Sequence, residues 1–205
     1  MDMGCGTGWT SILFAKKGYI VDGQDISGDM IELANKNKNV ENLSNVNFFV
    51  SDYETLNSSD KYDCAVFYDS LHHAEDEKSA LKAAFNILKK NGTLIALEPG
   101  EGHSKATSSI EASEKYGVTE KDMPPYHIIN VGKEVGFTKY KVFPRHSIHG
   151  MNILFDSEIS DFSDNLFNSI KITIKLILRD IKRAVKHYKT KADFLKTSNI
   201  VMLIK

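Results

Sequence analysis

An α/β fold built on a doubly wound, mostly parallel sheet is predicted for this 205-residue chain by three observations. Short strand-like runs alternate with helical patterns along the first hundred residues. The run Asp63-Cys64-Ala65-Val66-Phe67-Tyr68 is almost continuously apolar, the mark of a strand covered on both faces. Several of these runs stop at an acidic residue, and in such sheets ligands lie beyond the carboxyl ends of the strands.

The elements follow in order. Asp2-Met3-Gly4-Cys5-Gly6-Thr7-Gly8 has the composition of a strand-to-helix turn, with glycine at every second position. Glycine permits positive φ and leaves no Cβ between the backbone and a ligand. A helix begins near Trp9–Ser11 and runs to Lys17, with Gly18 as its C-cap. Tyr19–Val21 rises as a strand that ends in Gly23-Gln24-Asp25-Ile26-Ser27. Ser27 or Asp29 then caps a helix carrying Met30, Ile31, Leu33 and Ala34. Val46–Val50 is a strand ending at Ser51-Asp52-Tyr53, and Asp63–Tyr68 is one ending at Asp69-Ser70. Lys78–Lys90 is helical with Leu81, Ala84, Phe85 and Leu88 on one side, closed by Asn91-Gly92. Thr93–Leu97 is a strand ending at Glu98-Pro99-Gly100. Later come a short helix from His127 to Val135, a strand from Lys139 to Phe143 and a closing strand, NIVMLIK. A strand ordinarily precedes a glycine turn of this kind, and only Met1 stands before it. An upstream apolar strand and helix are therefore expected in the gene, with a shortened first strand in this chain.

Composition narrows the function classes. The length suits one domain, at about 150 residues per domain. A net charge of −1 gives no electrostatic reason to expect nucleic acid. The two cysteines, Cys5 and Cys64, form neither zinc spacing nor a disulfide framework, which fits a reduced cytoplasmic setting. No signal peptide opens the chain, and no run of about 18 apolar residues could span a bilayer.

The strand-end residues share one rim: the glycine turn, Asp25, Asp52-Tyr53, Tyr68-Asp69 and Glu98. Acids with a glycine loop suit a ligand carrying hydroxyls, an amine and an adenine. They do not suit a triphosphate, because no Gly-Lys-Ser/Thr supplies a cation. The Gly-x-Gly-x-Gly spacing also departs from the Gly-x-Gly-x-x-Gly of dinucleotide sites, which disfavours a dehydrogenase.

The strings DMGCGTGWTSILFAKKG, VDGQDISGDMIELANKN, FFVSDYETL and YDCAVFYDSLHHAEDEKSALKAAFNILKKNGTLIALEPG, with the closing NIVMLIK, resemble the class I S-adenosylmethionine-dependent methyltransferases of the small-molecule branch. The resemblance implies a single domain over 1–205 with a seven-stranded Rossmann-like methyltransferase fold and S-adenosylmethionine as cofactor. By it, Asp2 would steady the methionine end, whose ammonium prefers a carboxylate. Gly4, Cys5, Gly6, Thr7 and Gly8 would form the turn against the cofactor. Asp25, with Ile26 beside it, would accept both ribose hydroxyls. Asp52 would take the adenine amino group, with the Tyr53 backbone beside it, and Tyr68 would line the methionine portion. Cys5 needs no role beyond a small side chain in a tight turn.

The acceptor is expected to be a small molecule or glycan, methylated at oxygen, since a basic channel with interleaved aromatics is lacking. A hydroxyl must lose its proton, so a general base is sought on the rim. The candidates are His72, His73, Glu98, Glu101 and His103; His73 leads, with Glu98 and His103 behind it. For His72-His73 a packing role competes with a chemical one. No compact ligand spacing supports a metal on His72, His73, His103 and Asp69. Residues 102–135 stand where the resembled family carries a substrate lid, faintly like methyltransferases of surface-polysaccharide synthesis. Residues 157–190 form a helical insertion before the last strand. Its face over 166–189 joins Leu166, Ile170, Ile174, Ile177, Ile181 and Val185 to a basic remainder. That face either packs on the domain or lies on a membrane surface or partner. The rival reading of the whole chain is a non-catalytic binding or scaffold protein on the same fold, favoured by the short start.

Overall fold

The computed structural model describes residues 1–59, 61–144 and 195–205. Strand β1 (Asp2–Met3) lies at the centre of the sheet, parallel to β2 (Val21–Asp25) on one side and β4 (Tyr62–Tyr68) on the other. β3 (Val46–Val50) extends the sheet beyond β2, and β5 (Leu88–Leu97) beyond β4. β6 (Lys139–Pro144) and β7 (Asn199–Ile204) complete the order β3-β2-β1-β4-β5-β7-β6. β7 is antiparallel to both neighbours. Strand order reverses between β1 and β4, and this switch point opens a crevice at their carboxyl ends.

β1 spans two residues, and the ladder continues past it at Met1. Val66 N donates to Met1 O at 2.9 Å, and the Met1 amine donates to Cys64 O at 2.9 Å. Burial there pushes that amine below its ordinary pKa. Met3 is fully buried, and Phe67 of β4 packs in the same core.

Helix α1 (Trp9–Lys16) leaves the glycine turn and α2 (Gly28–Val40) follows β2; together they cover a core of Ile12, Ala15, Ile31, Ala34 and Phe48. Ser27 caps α2, its Oγ accepting Met30 N. α3 (Glu77–Ile87) and α5 (Pro125–Val135) pack Leu81, Ile87 and Ile128 on Phe67, Leu94 and Leu203, each contributing about 1.5–3 kcal/mol by burial. Pro125 occupies the first turn of α5, where no N–H is needed.

Three elements differ from the sequence reading. The strand expected at Tyr19–Val21 starts at Val21, since Tyr19 and Ile20 face solvent. The helix expected to reach Lys90 stops at Ile87, because Leu88 is buried and pairs with Tyr62 as the first residue of β5. Lys205 Nζ closes that helix end, donating to Phe85 O and Leu88 O at 2.7 and 2.8 Å. Within the lid, α4 (Thr107–Tyr116) ends at Gly117 with φ 67; the sequence reading placed no helix there. It buries only Ser109, so no apolar stripe announced it. The helical insertion assigned to 157–190 lies outside the described residues. Among the described residues no helix is long and apolar enough to cross a membrane.

The segment after α4 is tied down rather than loose. Asp122 accepts Gly102 N and Ser104 N, each at 2.8 Å, and Lys121 N donates to His72 O at 3.2 Å. Glu77 at the start of α3 accepts Lys121 Nζ at 2.8 Å and pairs with His127 Nε2 at 2.9 Å. Partial burial raises its pKa, but Lys121 and His127 outweigh that and hold the carboxyl at about 2, against 4.5 ordinarily. A depressed carboxyl contributes stability above its unfolded pKa and loses it as pH falls through the folded value. Glu77→Gln should therefore lower stability at pH 7 by roughly 2 kcal/mol. The gap to the parent should close between about pH 4.5 and 2, as read from thermal melts across pH. A pH-independent gap would remove the assigned ion pairs.

Candidate active site

Gly4, Gly6 and Gly8 take φ of 75°, 51° and 79°, and Gly4 N and Cys5 N both donate to Gln24 O at 2.9 Å. The turn is thereby fastened to β2. A Cβ on Gly8 would lie 2.5 Å from the Phe48 ring, so packing alone demands glycine there. At Gly6 an added Cβ would meet nothing within 4 Å. Gly6 is required by its left-handed φ, and it leaves the turn open to a ligand's approach.

Asp25 stands against this turn. Its Oδ2 accepts Gly6 N at 2.8 Å and its Oδ1 accepts Ser27 N at 2.9 Å. A carboxylate has about four acceptor sites, so each oxygen retains capacity for one hydroxyl of a vicinal pair. Ile26 beside it is 74% exposed, an apolar surface that a planar ring would cover. Trp9, half exposed, meets the Tyr68 ring edge-on at 5.0 Å between centroids. Thr7 uses its carbonyl to accept Asn37 Nδ2 at 3.0 Å. The Cys5 thiol is buried and its pKa is raised by desolvation, which keeps it protonated and unreactive.

Asp52 closes its own turn, with Oδ1 accepting Glu54 N at 2.8 Å and Oδ2 accepting Thr55 Oγ1 at 3.3 Å. The Tyr53 hydroxyl donates to Ser70 O at 3.0 Å, and its ring lies edge-on to Phe67. That side chain is a strut between the ends of β3 and β4. Asp2 is placed differently from Asp25 and Asp52. Its side chain points into the protein, 1% exposed, with Oδ2 accepting Thr10 Oγ1 and Ser11 Oγ at 2.6 Å each. Burial raises its pKa against the pull of those hydroxyls. Through this oxygen Asp2 fastens the first turn of α1.

Glu98, expected as a candidate base, is corrected. At 1% exposure it is sealed beneath the turn that follows β4. Its Oε1 accepts Ser70 N and Leu71 N at 3.1 and 2.9 Å; Oε2 accepts His72 N at 3.3 Å and His72 Nδ1 at 2.7 Å. Asp69, in a left-handed conformation with φ 46°, turns the chain so that these three N–H groups converge. The same turn abuts the glycine loop, because Ser70 Oγ donates to Met3 O at 2.7 Å. Glu98 is thus a positioning residue. Glu98→Ala should cost about 3 kcal/mol by stranding buried donors. That is a melting shift on the order of 10 °C, and an unchanged melt would contradict the network.

Three histidines gather above Glu98. His72 is buried; its ring stands 4.0 Å from that of His73 and 5.0 Å from that of His103, centroid to centroid. His103 Nε2 donates to Glu120 Oε2 at 2.6 Å, so its ring is engaged. His73 keeps 39% of its side chain exposed and donates Nδ1–H to Thr119 O at 2.7 Å. Sequence reasoning missed Glu120, which no motif marks. It arrives because the Asp122 and Lys121 contacts fold its loop over His72 and Gly102.

Residues 1–92 match the family described as a methyltransferase domain. A ubiquinone biosynthesis O-methyltransferase from Coxiella burnetii is 32% identical over 96 residues, 46% of this chain and 41% of that protein. A ubiquinone/menaquinone biosynthesis C-methyltransferase from Haemophilus ducreyi is 32% identical over 104 residues, 48% of this chain and 40% of that protein. The chain matches about two fifths of the length of these curated relatives. Among solved structures, the phosphoethanolamine N-methyltransferase 2 of Haemonchus contortus superposes with a TM-score of 0.64 at 18% identity. That superposition covers 100% of this chain and 47% of the other. The strand order and the glycine turn agree with that match: residues 1–92 are similar to a methyltransferase domain, and the sheet has the Rossmann-like methyltransferase fold.

Proposed function

We propose that this chain binds S-adenosylmethionine at the carboxyl edge of the sheet and transfers its methyl group to an oxygen of a small molecule or glycan. The carrying observation is Asp25, fixed by Gly6 N and Ser27 N with a free acceptor position on each oxygen. Two vicinal ribose hydroxyls match those positions, the open face at Gly6 admits the cofactor chain, and exposed Ile26 suits the adenine. Asp52 and the Tyr53 backbone would stand at the exocyclic amine. When bound, the cofactor supplies a methyl group already activated by its sulfonium, so the protein's work is mostly alignment.

This chain's residues supply the remainder. Tyr68 and Trp9 narrow the crevice beside the glycine turn. His73, whose Nδ1–H is committed to Thr119 O, would present Nε2 as the basic nitrogen to an acceptor hydroxyl. A sequence net charge of −1 supports a small-molecule or glycan acceptor over nucleic acid. The relatives' names span methylation at carbon and oxygen, so the preference for oxygen rests on the histidines.

Calorimetric titration of S-adenosylmethionine and NAD tests the first half. Binding of the former and not the latter is expected, and the reverse would sink the reading. Transfer of labelled methyl to a panel of hydroxylated small molecules and glycans, with amine analogues beside them, tests the second. Labelling of amines alone would overturn the oxygen assignment.

A further inference from the structure

We propose that His72, His103 and Glu120 form a binding site for a divalent transition-metal ion of the zinc type, with room for a further oxygen ligand. One donor atom from each of these side chains lies within 4.8 Å of the others. Two imidazoles and one carboxylate form a donor set suited to zinc and its first-row neighbours.

The hydrogen bonding around the three favours ligation. His72 Nδ1 donates to the buried Glu98 carboxylate at 2.7 Å, which leaves the lone pair on Nε2. That nitrogen faces Glu120 Oε2 at 3.7 Å, too far for a hydrogen bond. With His72 neutral, two acceptor atoms face each other there, an arrangement that a metal cation between them relieves. Bonds of about 2.0–2.1 Å in a tetrahedral shell set neighbouring ligand atoms about 3.3–3.4 Å apart, so little movement is needed. A carboxylate that orients a ligating imidazole through its far nitrogen is the usual support of such sites, and Glu98 occupies that position.

His103 must change partner. Its Nε2 now donates to Glu120 Oε2 at 2.6 Å. Ligation through Nε2 moves the ring hydrogen to Nδ1; Ser109 Oγ, now 3.5 Å from Nδ1 and 3.4 Å from Nε2 at the ring edge, can turn to meet it. No net proton is lost from a neutral ring by this exchange. The cluster is also preorganised. Asp122 clamps Gly102 N and Ser104 N on either side of His103, and Lys121 N donates to His72 O, so the Glu120 loop is held against both histidines. His72 and Glu120 keep only 6% and 10% side-chain exposure, while His103 keeps 27%. The remaining coordination position therefore opens toward solvent on the His103 side, where water or a ligand oxygen can enter. Sequence spacing argued against a metal on His72, His73, His103 and Asp69; Glu120, distant in the chain, makes the difference.

The test uses untagged chain, stripped with a chelator and desalted, without S-adenosylmethionine, so its outcome is independent of methyl transfer. Zn²⁺ and Co²⁺ are titrated by calorimetry, and Co²⁺ also by visible absorption. One site per chain is expected, with the strong d–d bands of low-coordinate cobalt. His103→Ala and Glu120→Gln should each weaken binding at least 10²-fold. Glu98→Gln, acting through His72, should weaken it about 10–100-fold. Circular dichroism melts of the metal-free variants identify any that fail to fold, and His103→Ala, at the most exposed of the three ligands, keeps the test available. Absence of a stoichiometric site in the parent chain overturns the proposal. So does parental affinity in a folded Glu120→Gln, His103→Ala double variant.

Discussion

Asp25→Ala is expected to weaken S-adenosylmethionine binding by about 10²–10⁴-fold. Two hydrogen bonds to a charged acceptor, at about 1.5–3 kcal/mol each, would be lost with the carboxylate. The estimate is reinforced by geometry. The same two oxygens hold Gly6 N and Ser27 N at 2.8 and 2.9 Å, so the substitution also releases the glycine turn proposed to lie against the cofactor. Asp25→Asn separates the two effects. Its amide oxygen can keep one backbone partner while the charge is gone, so an intermediate loss is expected by calorimetry. Parental affinity in Asp25→Ala would show that the ligand lies elsewhere. Loss of affinity together with a collapsed melting temperature would assign the effect to folding.

The parts of this site that were legible in the sequence are those fixed by local geometry. Val46–Val50 is a strand with the predicted ends, because its apolar run is bounded by turn residues on both sides. Ser27 caps α2 as its residue type predicts. The glycine turn and Asp25 come together because both follow directly from adjacent parallel strands. What could not be read depends on direction or on distance along the chain. A carboxylate at a strand end can point outward, as Asp25 does, or inward, as Asp2 and Glu98 do. The deciding factor is whether donors wait inside: Thr10 and Ser11 for Asp2, three backbone N–H groups for Glu98.

Glu120 illustrates the second limit. Nothing in its neighbourhood, Thr119-Glu120-Lys121-Asp122, differs from a solvated loop. Its place beside His72 and His103 is set by hydrogen bonds that Asp122 and Lys121 make to segments far away in sequence. Helix α4 likewise carries almost no buried side chain, so hydrophobic periodicity could not report it. The end of α3 at Ile87 was decided by a cross-strand partner, Tyr62, which no window around Leu88 contains.

His73→Ala should retain S-adenosylmethionine affinity while methyl transfer to a hydroxyl acceptor falls about 10²–10⁴-fold, the usual contribution of a general base. Among Glu98 and the rim histidines, His73 is singled out by access; Glu101, also exposed, accepts the Tyr126 hydroxyl at 3.1 Å. Glu98 is sealed, His72 is buried on Glu98, and the His103 ring is engaged by Glu120. His73 alone of these four has more than a third of its side chain exposed, and its Nδ1–H is held by Thr119 O. A single tautomer with Nε2 outward is what proton removal from an incoming hydroxyl requires. The substitution removes a partly exposed ring that packs beside His72, so only a small change in melting temperature is expected. His73→Gln refines the test, since it keeps a polar group in place without basicity; turnover should remain low. Unchanged turnover in His73→Ala would leave the ring as packing for His72. A rise in the Kd for S-adenosylmethionine would place it instead in the wall of the cofactor site.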